Sequence, residues 1–348
     1  MNALRRLPWL ALLLAGLALA LGAAACGGDD DDGGNGGGDT GAATDGGEEQ
    51  LRVGLVTDIG GLNDRGFNQL AYQGLQQAES ELGVEIRVLE SKSDADYIPN
   101  LQTLADEGFN LIISVGFLML EATQTAAETY PDTNFAIIDA AFDPALDNSQ
   151  GVLFKEQEAG YLVGYLAGLV TETGTVSSVG GQKIPPVDRF IAGFQKGAAD
   201  ANPEVQSING YSQDFVDQAK CKEVALDQIS RGSDVVFQVA GGCGLGALDA
   251  ADEESVWGIG VDADQAFLGD YVLTSAVKRV DVAVFSTIEQ LANDEFAAGE
   301  TTTYGLAEDG VAMGETSANA PAEAVEEAEA QADAIIAGEI EIPDTLGR

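Results

Sequence analysis

The stretch Leu51–Leu75, LRVGLVTDIGGLNDRGFNQLAYQGL, decides how the rest of the chain is read. Val53, Leu55 and Val56 suit a strand buried in a parallel sheet. Phe67, Leu70, Ala71, Gly74, Leu75 and Ala78 then fall at helical spacing on one face. At the junction lie Asp58, Asn63, Asp64, Asn68 and an aromatic ring, at the carboxyl end of the strand. In open α/β sheets that edge is where ligands sit. The first βα unit is therefore expected to supply half of a small-molecule site.

The same alternation continues outward from this unit. Strands read near 52–57, 85–90, 110–115, 134–139 and 151–154, with helices near 66–82, 97–107, 119–130 and 155–171. A second series has strands near 174–180, 204–209, 234–239 and 256–261, and helices near 187–201, 215–231 and 244–252. A strand over 271–277, a helix over 280–297, a late pair near 301–313, a helix near 319–337 and a short strand over 339–342 close the chain. Two such series predict two α/β lobes, each a doubly wound, mostly parallel sheet covered on both faces. The expected division is a first lobe over 51–155, completed by about 275–300, and a second over 156–274, completed by about 301–348. The break near Phe154–Tyr161 and two later returns make three crossings, which together act as a hinge for interlobe closure.

Residues 1–25 read as a cleaved leader: Arg5 and Arg6, then an apolar run from Leu7 to Gly22, too short for a comfortable membrane span. Ala23-Ala24-Ala25 before Cys26 resembles a bacterial lipoprotein signal, in which Cys26 becomes the lipidated N-terminus; an ordinary secretory signal is the alternative. Residues 26–50 carry the Cys and then Gly, Asp, Ala, Thr and Glu, a composition that forms a flexible acidic tether and buries no core. The chain is expected at the cell membrane, lipid-anchored on the extracytoplasmic face.

With 58 acidic against 16 basic residues the formal charge is −42. A phosphate backbone would be repelled, so nucleic acid is not an expected partner. The chain has no histidine, which removes Ser-His-Asp and Cys-His catalysis and histidine metal sites. No enzyme activity, cofactor or metal is expected. Cys221 and Cys243 are the only cysteines beyond Cys26. Both read near the same sheet edge, in an exported chain where a disulfide is allowed; two buried free thiols are the alternative.

Loops after strands hold the remaining candidates. Asp58 sits at the first strand tip. Asp64 is read as a cap for the following helix. Phe67 is in phase with the core yet lies in the first helical turn, where a ring can face a cleft; the residues leave both open. Asp139 ends a buried strand, which is costly for an acid unless it has a partner or faces a cleft. Phe237 to Gly244, FQVAGGCG, ends a strand and opens a helix, and Gly241 and Gly242 let backbone approach a ligand. Asp262 ends the next strand, and Lys278 and Arg279 mark another strand tip, where they can also serve to neutralise nearby acids.

Taken together, VGLVTDIGGLNDRGFNQLAYQGL, FAIID, LFKEQEAGYLVGYLAG, DVVFQVAGGCGLGALDAA, GIGVDADQ and TSAVKRVD resemble the basic membrane protein family. Its members are lipoprotein substrate-binding components of ABC importers, akin to the purine nucleoside receptor lipoproteins of spirochaetes. The resemblance implies a type I periplasmic binding protein fold with two lobes and a hinge. It implies a monomer that binds a purine nucleoside between the lobes and works with ABC permease and ATPase subunits. It further implies that Phe67 and Phe237 clasp the base, that Asp58, Asn68 and Asp139 are polar positions around it, and that Asp262 holds the ribose with Lys278 nearby. A receptor or sensor of the same fold for a sugar, an autoinducer-like molecule or another small metabolite is the alternative function.

Overall fold

The computed structural model describes residues 50–347; the leader, Cys26 and the tether lie outside the described residues. The first lobe is laid down by β1 (Arg52–Thr57), α1 (Phe67–Leu82), β2 (Glu85–Glu90), α2 (Tyr97–Asp106), β3 (Leu111–Val115), α3 (Leu120–Thr129), β4 (Asn134–Ile138) and β5 (Ser149–Phe154). The chain then crosses into α4 (Glu156–Val170), β6 (Thr175–Gly180), α5 (Pro185–Ala201), β7 (Gln206–Tyr211), α6 (Gln218–Ser230), β8 (Val235–Val239), α7 (Gly241–Glu253), β9 (Trp257–Asp262) and β10 (Val272–Lys278). It returns through α8 (Val280–Ala292) and β11 (Thr301–Tyr304), and finishes with β12 (Val311–Met313), α9 (Ala322–Glu329) and α10 (Gln331–Ile336).

The two sheets have the same winding. The first runs β11-β5-β4-β3-β1-β2 and the second β12-β10-β9-β8-β6-β7. Every pairing is parallel except β10 with β12. In each sheet the strand order reverses beside the first-formed strand, β1 or β6, which creates a crevice at the carboxyl edge. The segment that returns to the first sheet is 280–304, later than the 275–300 read from the pattern, because β10 still pairs with β9 while β11 pairs with β5. No strand forms over 339–342; Ile340 and Ile342 instead pack beside Tyr161 and Leu162 of α4.

Burial explains the long apolar runs. Val53, Leu55, Leu111, Ile113, Ala136 and Ile138 form one face of the first sheet, and Val56, Ile112, Phe135 and Ile137 the other. In the second lobe Val176, Val235, Phe237, Val239 and Ile259 share the core with Val187, Phe190 and Phe194 of α5. Val179 and Val236 pack with α6 and α7. α4 and α5 pack backbone to backbone. A methyl group at Gly160 or Gly164 would collide with the carbonyls of Phe190 and Phe194, and one at Gly193 or Gly197 with those of Gln157 and Tyr161. This seam fixes Phe190 and Arg189 above the crossing point. Among the described residues no helix is long and apolar enough to cross a membrane.

Candidate functional site

Three segments cross between lobes, at 154–156, 278–280 and 304–311, and the carboxyl edges of both sheets face one cavity beside them. The cavity is a slot of about 570 Å³, part of it open to solvent. The first lobe lines it with Asp58, Phe67, Asn68, Phe117 and Asp139, the second with Phe190, Phe215, Gly241, Gly242, Asp262 and Lys278. The lobes are in contact around it: Gln265 Nε2 donates to the Arg65 carbonyl at 3.3 Å, and the Arg65 guanidinium lies 5.9 Å from the Phe267 ring centre.

The first-lobe wall is a hydrogen-bonded turn. Asp64 accepts from the backbone N–H groups of Gly66, Asn68 and Gln69, and so satisfies donors that the start of α1 leaves without partners. That is the capping role read from the sequence. Asn68 Nδ2 donates to Asp58 Oδ1 at 2.9 Å and to Asp64 Oδ2 at 3.2 Å. Asp58 Oδ1 also accepts the Gly60 N–H at 2.9 Å. Gly116 has φ +115°, and a side chain there would stand 2.8 Å from Asp58 Oδ2, so the glycine keeps that oxygen uncovered. Burial pushes the Asp58 carboxyl up to about 6, against the pull of its two hydrogen bonds.

The opposite wall is a buried charge cluster. Lys278, the last residue of β10, is 1% exposed. Its Nζ lies 2.6 Å from Asp139 Oδ1 and 3.0 Å from Glu156 Oε1. Arg189 Nε donates to Glu156 Oε2 at 2.6 Å. Burial pulls the Lys278 ammonium down, but Asp139, Glu156 and Asp262 outweigh it and hold it above its ordinary value. The same Nζ sits 5.0 Å from the Phe67 ring centre, where the ring face attracts the cation. Burial also raises Asp139, against the pull of Lys278. Asp262 is 7% exposed, and no donor among the described residues engages its carboxylate; burial pushes it up to about 7, with Lys278 opposing. Asp139 just follows β4 and Asp262 ends β9, equivalent strands of the two sheets, both with left-handed backbone, at φ +73° and +62°.

Asp58, Phe67, Asn68, Asp139, Gly241, Gly242, Asp262 and Lys278 are thus brought to one slot. Phe237 is not. Strand alternation places its ring on the face of β8 that meets α5, where it is fully buried, 5.1 Å from the Phe194 ring centre and 6.2 Å from that of Phe190. Val239, two residues on, reaches the slot instead. The half-buried second-lobe ring in the slot is Phe215, which the periodicity had counted into the next helix. α6 begins only at Gln218, with Asp217 accepting from the Ala219 N–H, so Phe215 stands in the preceding loop at the sheet edge. Its carbonyl accepts the Cys243 N–H at 2.9 Å. Cys243 is bonded to Cys221 across a Cα–Cα distance of 5.6 Å, which ties the starts of α6 and α7 around that loop. Glu156 and Arg189 were also not singled out. Glu156 stands at a strand–helix junction among Lys155, Gln157 and Glu158, so its sequence context does not set it apart from its neighbours.

Residues 51–346 match the family described as ABC transporter substrate-binding protein PnrA-like. The chain is 36% identical over 322 residues to a CD4+ T-cell-stimulating antigen of Listeria innocua, covering 86% of this chain and 90% of that one. It is 33% identical over 316 residues to an ABC transporter nucleoside-binding protein, BmpA, of Lactococcus lactis, covering 84% and 89%. An uncharacterized lipoprotein of Pyrococcus furiosus is 34% identical over 278 residues, covering 76% and 70%. Among solved structures, an ABC transporter solute-binding protein of Aeropyrum pernix superposes with a TM-score of 0.76 at 28% identity, covering 86% of this chain and 94% of that one.

Proposed function

The chain belongs to the PnrA-like family of ABC transporter substrate-binding proteins, and from that premise we propose that it captures a purine nucleoside between its lobes and passes it to an ABC permease. The observation that carries this reading is the slot itself: the half-buried rings of Phe67 and Phe215 share one space with the carboxylate of Asp262, which has no partner among the described residues. A planar base gains about 1–3 kcal/mol from stacking on each aromatic ring. A carboxylate with no protein donor takes two vicinal hydroxyls through charge-assisted hydrogen bonds, which suits a ribose. Phe67 and Phe215 replace the Phe67–Phe237 pair as the clasp. Asp58 and Asn68 meet the polar edge of the ligand, while Lys278 and Asp139 close the slot beside the crossings.

The receptor works as a monomer with permease and ATPase subunits, held at the extracytoplasmic face by a lipid on Cys26. It binds and releases its ligand unchanged. Calorimetric titration of the purified protein with adenosine, guanosine and inosine tests the assignment. Saturable one-to-one binding of at least one is expected; binding of a sugar with no response to any of the three would refute it.

A further inference from the structure

The polar groups of the slot are unequally divided between donors and acceptors. Asp58, Asp139 and Asp262 offer carboxylate oxygens, and the one charged donor among the lining side chains, Lys278, is already engaged by Asp139 and Glu156. Asn68 does not redress the balance. Its Nδ2 is committed to Asp58 and Asp64, while its Oδ1 is buried and receives no hydrogen bond among the described residues. Among the described residues Asp58 takes both of its hydrogen bonds on Oδ1, and its Oδ2, beside Gly116, has none. Two neighbouring groups, joined by a 2.9 Å hydrogen bond, therefore each keep an acceptor without a donor in a nearly dry wall. An acceptor left unpaired in such a place is costly, and a ligand that supplies its donor is selected over one that does not.

Resting on the nucleoside reading above, we infer that Asp58 and Asn68 make this receptor selective for the guanine base. Guanine carries two adjacent donors on one edge, the N1–H and the N2 amino group. Hypoxanthine has the N1–H alone. Adenine sets its N6 amino group next to N1, an acceptor, which would face a carboxylate. Only guanine satisfies both Asp58 Oδ2 and Asn68 Oδ1 from a single edge. The buried carboxylates also disfavour a phosphorylated ligand, so the nucleoside is taken and the nucleotide is not.

Competition calorimetry of the purified full-length protein at pH 8, with guanosine, inosine, adenosine and 1-methylguanosine, tests this inference. Guanosine is expected to bind about 10-fold or more tightly than each of the others. In Asp58→Asn the amide can turn a donor toward the base, and the gap between guanosine and inosine is expected to shrink to within about 3-fold. Inosine binding as tightly as guanosine to the wild type would overturn the inference, as would an undiminished preference in a folded D58N. The wild-type ranking decides if the variant fails to fold. Loss of all nucleoside binding would instead overturn the function on which the inference rests.

Discussion

Lys278 is buried to 1% exposure, and it stays charged because carboxylates surround it. Removing one partner of such a group costs far more than a surface ion pair, since a desolvated charge is left behind. Aromatic residues divide by the same test of surroundings. Phe237 packs against Phe190 and Phe194 in a close-packed core, so Phe237→Ala is expected to cost about 3–5 kcal/mol of stability. Phe215 lines the slot from a loop, so Phe215→Ala is expected to leave the fold nearly as stable and weaken nucleoside binding by about 10- to 100-fold. Denaturant unfolding and calorimetry on both variants check the pair; the reverse pattern would restore Phe237 as the clasp. Asp58, Asp139 and Asp262 are legible in the sequence because an acid at the tip of a buried strand has few structural uses. The identity of the second ring was not, because Phe237 and Phe215 both lie near strand tips and only the pleat of β8 and the start of α6 separate them.

Whole elements were more legible than their edges. Runs such as Leu111–Val115 and Val235–Val239 are buried at every position and apolar except for Ser114 and Gln238, as parallel strands covered by helices on both faces require. Helix starts are set by local capping, which a three- or four-residue spacing does not report. Asp217, by capping α6, leaves Phe215 outside the helix and at the mouth of the slot. The segment 339–342 has strand-like residues but pairs with neither sheet, and its isoleucines pack on α4 instead. Sheet membership of 272–304 also needed the structure, because a helix and a strand of similar length suit either lobe. The Cys221–Cys243 bridge belongs to this scale: it joins two helix starts, and the hydrogen bond from Cys243 to the Phe215 carbonyl lies directly beside it.

At the scale of the molecule, closure carries a pH signature. Asp58 and Asp262 have carboxyls pushed up to about 6 and about 7 by burial, from an ordinary value of 3.8. A folded state that holds protons more tightly than the unfolded chain loses stability as pH rises through that window. The Lys278 ammonium, held above its ordinary value, stays charged throughout, and Asp214, held down to about 2, acts only at lower pH. The ligand-free protein is therefore expected to melt about 5 °C higher at pH 5 than at pH 8. Scanning fluorimetry across that range checks the sign, and a melting point that rises with pH would contradict the buried state of these acids. The central claim, that two half-sites join around one nucleoside, is tested most directly by a crystal structure of the protein with guanosine. The expected map has the base between Phe67 and Phe215, its amino edge at Asp58 and Asn68, and the ribose hydroxyls on Asp262. A nucleoside bound outside the slot, or a slot filled by a ligand that leaves Phe67, Phe215 and Asp262 untouched, would contradict it.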